Sequence, residues 1–180
     1  MDIKQNLLVI SGILLISSSL TAFAKTKCAE VAGNMIVSKV TLGCTNIQGS
    51  ATFKASTFTG KLDISGPLKA DASKLAEINV TGDVTLDNSV VSGTAKITGD
   101  ITATDTVFKA TLQASSHSIT LIGSTTENIE ITSNKPHEAI YLYLNAGSTV
   151  NGNITFKNGH GIIKNHRSAV KGKVIGGKFE

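Results

Sequence analysis

The chain has 180 residues, room for one domain, and 41% of them are hydrophobic, enough to build a core. Only 4% are aromatic and none is Trp, which argues against a globule packed on large rings and for stacked layers of Val, Ile, Leu and Ala. The abundance of Val, Ile and Thr with only 2 prolines excludes disorder, and the formal net charge of +4 becomes an argument about anionic partners only once the destination of the chain is known.

That destination is written first. Lys4 opens a short polar start, LLVISGILLIS runs from Leu7 to Ser17, and Ala22-Phe23-Ala24 closes the segment. These are the three parts of a secretory signal, with an apolar run too short for a bilayer span. The expectation is cleavage after Ala24, export to the periplasm or beyond, and no transmembrane segment in the mature chain. Export also removes nucleic acid as a partner for the basic residues. Cys28 and Cys44 are the 2 cysteines of the chain, and in an oxidising compartment they read as a disulfide. Lys25 to Ala32 then forms an N-terminal cap tied to the first coil, and residues 33–180 form a single domain.

From Gly33 the chain repeats. Gly33, Gly49, Gly66, Gly82 and Gly99 are separated by 16, 17, 16 and 17 residues. Within GDVTLDNSVVSGTAKIT, Gly82 to Thr98, the apolar residues Val84 and Leu86, then Val91, then Ala95 and Ile97 keep strand alternation, with Ser89 between the first two groups. Laying the coils over one another predicts the inward positions. They are Met35, Val37, Val40, Leu42, Thr45 and Ile47 in the first coil and Ala51, Phe53, Ser56, Phe58, Leu62 and Ile64 in the second. The sixth coil starts at His117 and gives Ile119, Leu121, Ser124, Thr126, Ile129 and Ile131. Three inward pairs per coil predict three short strands and tight bends, hence an all-β, right-handed parallel β-helix of triangular section. About eight coils, at roughly 4.8 Å each, give a rod about 35 to 40 Å long.

Asn134-Lys135-Pro136-His137 reads as a loop inserted at a bend, since proline has no N–H for an interior ladder. Leu142, Leu144, Val150, Ile154 and Phe156 rebuild the core pattern, and Ile163, Val170 and Val174 do so once more. Charge is uneven along this rod. The middle is acidic, whereas Lys157, Lys164, Arg167, Lys171, Lys173 and Lys178 make the C-terminal coils a candidate surface for an anionic polysaccharide, a lipid surface or a host partner.

Nothing in the pattern supplies an active site. Ser56, Ser73, Ser89, Thr106 and Ser124 form a column, but no His or carboxylate recurs beside it to activate a hydroxyl, so bend-lining residues bonded to backbone are expected. His160 and His166 flank GIIKN without the further ligands a metal needs. Asp71 and Asp87 share a column, yet Lys54 and Thr104 stand on either side of them, which disfavours calcium. An outward row of Thr52, Thr85, Thr102 and Thr120 is the expected strand surface. The reading is a protein without catalytic residues, cofactor or metal; a polysaccharide lyase or hydrolase is the distant alternative.

GDVTLDNSVVSGTAKIT and GDITATDTVFKATLQAS, within a stretch from about Gly33 to Thr132, resemble the coils of bactofilins, bacterial scaffold proteins that polymerise and whose core is a right-handed triangular β-helix. The resemblance lies in coil length and alternation. It implies an exported scaffold of the envelope or extracellular space, whose partners are further copies of itself in a homo-oligomer or polymer.

Overall fold

A computed structural model of the protein describes residues 14–16, 28–133 and 138–180. The A-x-A site, Lys25 to Lys27 of the cap and the Asn134 to His137 loop lie outside the described residues. The fold is a parallel β-solenoid of about nine turns, with strands and bends but no helix among the described residues. Three parallel sheets, of ten, eight and nine strands among the described residues, run the length of the solenoid and give it a triangular section. Each turn places one strand in each sheet. In the central unit these are Val84–Asp87, Val90–Val91 and Ala95–Thr98, and each pairs with its counterparts one turn before and one turn after.

The alternation read from the sequence is the register of the core. Every inward position predicted in the first six coils is buried except Leu42, including Leu68, Ala70, Ser73, Leu75, Ile78 and Val80 of the third and Ile101, Ala103, Thr106, Phe108, Leu112 and Ala114 of the fifth; Leu42 packs half-buried against the core near its open N-terminal end. Leu142, Leu144, Val150, Ile154, Phe156 and Ile163 are buried in turn, while Val170 and Val174 in the last turn are partly covered. Like stacks on like across each parallel pair: Ile78 faces Leu62 and Ala95, and Val80 faces Ile64 and Ile97. Such a core needs few rings. The Phe53 and Phe58 rings, 4.3 Å apart, are its one aromatic pair among the described residues.

The bend from the first to the second sheet explains the hydroxyl column. The chain turns there through a left-handed residue: Ala55 at φ 48°, Ala72 at 49°, Asn88 at 45° and Asp105 at 46°. The next N–H then points into the core, where no strand can accept it. Ser73 Oγ accepts the Ser56 N–H at 3.2 Å, and Ser89 Oγ accepts the Ser73 N–H at 3.1 Å. Each hydroxyl in turn donates to the carbonyl two residues before it, Asp71 for Ser73 and Asp87 for Ser89, both at 2.8 Å. Thr106, Ser124 and Ser148 continue the ladder, with Thr106 N–H on Ser124 Oγ at 3.0 Å and Ser124 N–H on Ser148 Oγ at 3.2 Å. These hydroxyls satisfy buried backbone.

The recurring glycines have a different cause. At Gly82 an added Cβ would lie 2.6 Å from the Gly66 carbonyl carbon and 2.7 Å from Pro67 N. Consecutive bends from the third sheet back to the first therefore stack backbone on backbone, and the missing side chain permits the approach.

At the N-terminus Ala29–Val31 pairs with Thr45–Ile47, so the predicted cap adds a strand to the third sheet, and the Cys28–Cys44 disulfide ties it to the first full turn. Leu14–Ile16, in the predicted signal segment, pairs in parallel with Met35–Val37. These two N-terminal strands account for a turn more than the eight coils laid out from the sequence. Among the described residues no helix is long and apolar enough to cross a membrane.

Candidate functional site

The six basic residues of the candidate surface encircle the end of the solenoid. Lys164 and Lys178 project from first-sheet strands, Gly161–His166 and Gly177–Phe179. Arg167 stands in the bend to the second sheet, Lys171 and Lys173 in the bend to the third, and Lys157 comes directly after the third-sheet strand Ile154–Phe156. Half of them touch carboxylates: Lys157 Nζ is 2.7 Å from Glu130, Lys164 Nζ 2.7 Å from Glu180, and Lys178 Nζ 3.4 Å from Glu180. Lys171 Nζ donates to Asn151 Oδ1 at 2.8 Å. The chain thus brings Lys164 and Lys178 together through Glu180 and distributes the other four around the remaining faces.

The other polar columns stay apart from this end or hold no site. Thr52, Lys69, Thr85, Thr102 and Thr120 are successive register partners on the outer face of the first sheet, so the threonine row is one continuous column with a lysine in it. Asp71 and Asp87 are register partners, with Lys54 beside the first and Thr104 beside the second. His160 and His166 lie at opposite ends of a six-residue strand, about 20 Å apart, and therefore share no site. Among the described residues no three His, Cys, Asp or Glu side chains converge as a metal group would require.

The threonine column runs into a cluster that sequence reasoning missed. Its next members are Tyr143, opposite Thr120, and Lys164, opposite Tyr143. The parallel column beside it contains Ser118, Tyr141, Ile162 and Lys178. Tyr141 and Tyr143 are the 2 tyrosines of the chain. They occupy alternate positions of Ile140–Asn145, whose Ile140, Leu142 and Leu144 are buried, so both rings stand on the outer face. Their centroids are 6.1 Å apart and their planes 19° from parallel.

Lys164 is fixed within this cluster. Its hydrogen bond to Glu180 holds the ammonium above its ordinary pKa of 10.5, against the opposing effect of desolvation, and electrostatic attraction to Glu180, Tyr141 and Tyr143 acts in the same direction. Glu180 is held below its ordinary 4.5, first by the hydrogen bond from Lys164 and then by that from Lys178. Immediately beside Ile162 and Lys178 is a hollow of about 520 Å³, lined also by Ala139, His160 and Gly176. The sequence held the necessary signal: IYLYLN puts two tyrosines on one face as surely as it puts the leucines on the other.

The fold is a triangular parallel β-solenoid. Comparison with protein-family models, with curated proteins and with solved structures finds no match to this chain.

Proposed function

We propose that the protein is an exported, non-enzymatic β-solenoid of the envelope or extracellular space that assembles end to end, in the manner its resemblance to bactofilins implies. The observation that carries this reading is the state of the two ends. At the C-terminus the last turn leaves Ile175 50% and Phe179 51% exposed, and Gly177–Phe179 ends its sheet with one edge unpaired among the described residues. At the N-terminus the edge of Met35–Val37 takes up Leu14–Ile16 as a parallel strand, so that edge is competent for strand addition. Removal of the signal after Ala24 would free it. The Cys28–Cys44 disulfide supports an oxidising compartment, and it would keep the first turn closed once the signal has gone.

The test is sedimentation velocity of the oxidised chain from Lys25 onward, over a concentration series, with negative-stain microscopy of the same samples. Rods or filaments that lengthen with concentration are the expected result. An elongated monomer at every concentration would overturn self-assembly.

A further inference from the structure

The cluster at Tyr141 and Tyr143 has properties that a structural solenoid does not need. Aromatic rings are scarce in this chain, and the core is built with few of them; yet both tyrosines face outward on the same strand, 6.1 Å apart. Partly exposed rings on a stiff parallel sheet present apolar faces with hydroxyl tips, the surface that the C–H face and hydroxyl rim of a pyranose ring complements. Beside them Lys164, Lys178 and Glu180 supply ammonium donors and a carboxylate acceptor, the charges being two positive against one negative. Lys164 is held by Glu180 at 2.7 Å, whereas Lys178, 71% exposed, touches the same carboxylate only at 3.4 Å and can exchange it for a ligand.

The shape selects among anionic ligands. The cluster continues a straight outward column through Thr120, Thr102 and Thr85, with one side chain per turn at a spacing of about 4.8 Å. That step is close to the length of one sugar residue in an extended glycan. A polymer lying along the solenoid axis would meet one hydroxyl or ring per residue, with no deep pocket required. A lipid headgroup would meet the cations and the rings but leave unused the threonine column that runs on from Tyr143. We propose that the outer face of the first sheet, centred on Tyr141 and Tyr143 and flanked by Lys164 and Lys178, binds an extended carboxylate-bearing polysaccharide. The tyrosines stack on sugar rings, the lysines meet carboxylates, and Glu180 accepts from sugar hydroxyls. The hollow at His160 and Ile162 accommodates a branch or ring substituent at the end of the bound stretch.

The test is affinity electrophoresis of the mature disulfide-bonded protein in gels containing polygalacturonate, alginate or hyaluronan, with dextran as the neutral polymer and anionic phospholipid vesicles in a parallel flotation assay. Retardation by at least one acidic glycan and not by dextran is expected. Tyr141→Ala/Tyr143→Ala should weaken it at least tenfold, and Lys178→Glu should weaken it severalfold. The exposed Lys178 variant keeps the fold, and the melting temperature of each protein controls for damage by the tyrosine changes. No retardation by any of the three acidic glycans would overturn the proposal. So would retardation unchanged in both variants, equal retardation by dextran, or binding confined to the vesicles.

Discussion

Replacing Ser89 by Ala isolates the role of the hydroxyl column. Ser89 is 1% exposed, so no water replaces its oxygen. Two of its bonds concern carbonyls: Oγ donates to Asp87 at 2.8 Å and approaches Ala70 O at 3.4 Å. The Asp87 carbonyl keeps another donor, since it also accepts the Ala72 N–H at 3.0 Å. The Ser73 N–H loses its Ser89 acceptor at 3.1 Å, its one partner among the described residues, so a buried donor is left unpaired. An unpaired buried N–H costs about 1 to 3 kcal/mol, and that is the expected loss for Ser89→Ala, with the void of one oxygen adding little. Urea denaturation monitored by far-ultraviolet circular dichroism measures it. Thr126 is the control in the opposite direction: it is fully buried, its Oγ1 has no partner among the described residues, and its register neighbours are Phe108 and Val150. Thr126→Val removes an unsatisfied hydroxyl at nearly constant volume and should stabilise by about 1 kcal/mol. If Ser89→Ala and Thr126→Val shifted the urea midpoint equally and in one direction, the accounting of buried hydrogen bonds along the solenoid would be wrong.

Other consequences are equally direct. Ala72 holds φ 49°, a conformation that costs an L-residue about 1 to 2 kcal/mol, so Ala72→Gly should raise stability by roughly 0.5 to 1 kcal/mol after the entropy cost of glycine, read from the same urea curves. Gly82→Ala must displace the backbone of Gly66 and Pro67, and soluble yield and melting temperature should both fall. Reducing Cys28–Cys44, which spans 16 residues of sequence, should cost about 3 kcal/mol on the chain-entropy model, with hydrogen exchange rising first in Ala29–Val31. The Lys164–Glu180 pair contributes to stability between the two ordinary values, 4.5 and 10.5. The lowered Glu180 pKa means its share is lost as pH falls through the folded value below 4.5, and the raised Lys164 pKa means its share is lost as pH rises through a value above 10.5. Carboxyl chemical shifts in a pH titration should show Glu180 returning toward its ordinary value in Lys164→Gln; an unchanged midpoint would refute the coupling.

The core was legible because period and packing coincide here. In a parallel solenoid each inward residue meets its equivalent one turn away, so a set of apolar positions such as Val84, Leu86, Val91, Ala95 and Ile97 is already a contact map. The glycine and serine columns were equally visible, and so was the backbone-bonding role of the hydroxyls at a bend; the reason for the glycines and the origin of the buried N–H were not. Backbone stacked at 2.6 Å from a would-be Cβ and an N–H turned inward by a left-handed residue are facts of the bends, and periodicity does not encode them. The candidate site was less legible. A run of cations in sequence, Lys157 to Lys178, looks like a patch, yet one turn of a three-sided solenoid sends successive residues to three faces, so only Lys164 and Lys178 meet. Adjacency on such a fold is set by equivalence between turns. The tyrosines illustrate the same point from the other side: Tyr143 gains its meaning from Thr120 and Lys164, which are distant in sequence and next to it in space.

End-to-end assembly and a lateral glycan site use different surfaces, and the geometry couples them. Strand addition at Gly177–Phe179 would extend the first sheet, so the outward column ending in Tyr143, Lys164 and Glu180 would continue onto the next copy at Ile36, Thr52 and Lys69. A polysaccharide lying along the axis would then engage several copies at once, each adding a local concentration of sites to the last. Polymerised protein should therefore bind long acidic glycans far more tightly than the monomer does, while short oligosaccharides distinguish the two only weakly. Comparing a long polyuronate with its short oligomers, on protein kept monomeric by dilution and on protein concentrated enough to assemble, separates the two contributions. Equal preference for the long chain in both states would mean that the ends and the tyrosine face act independently.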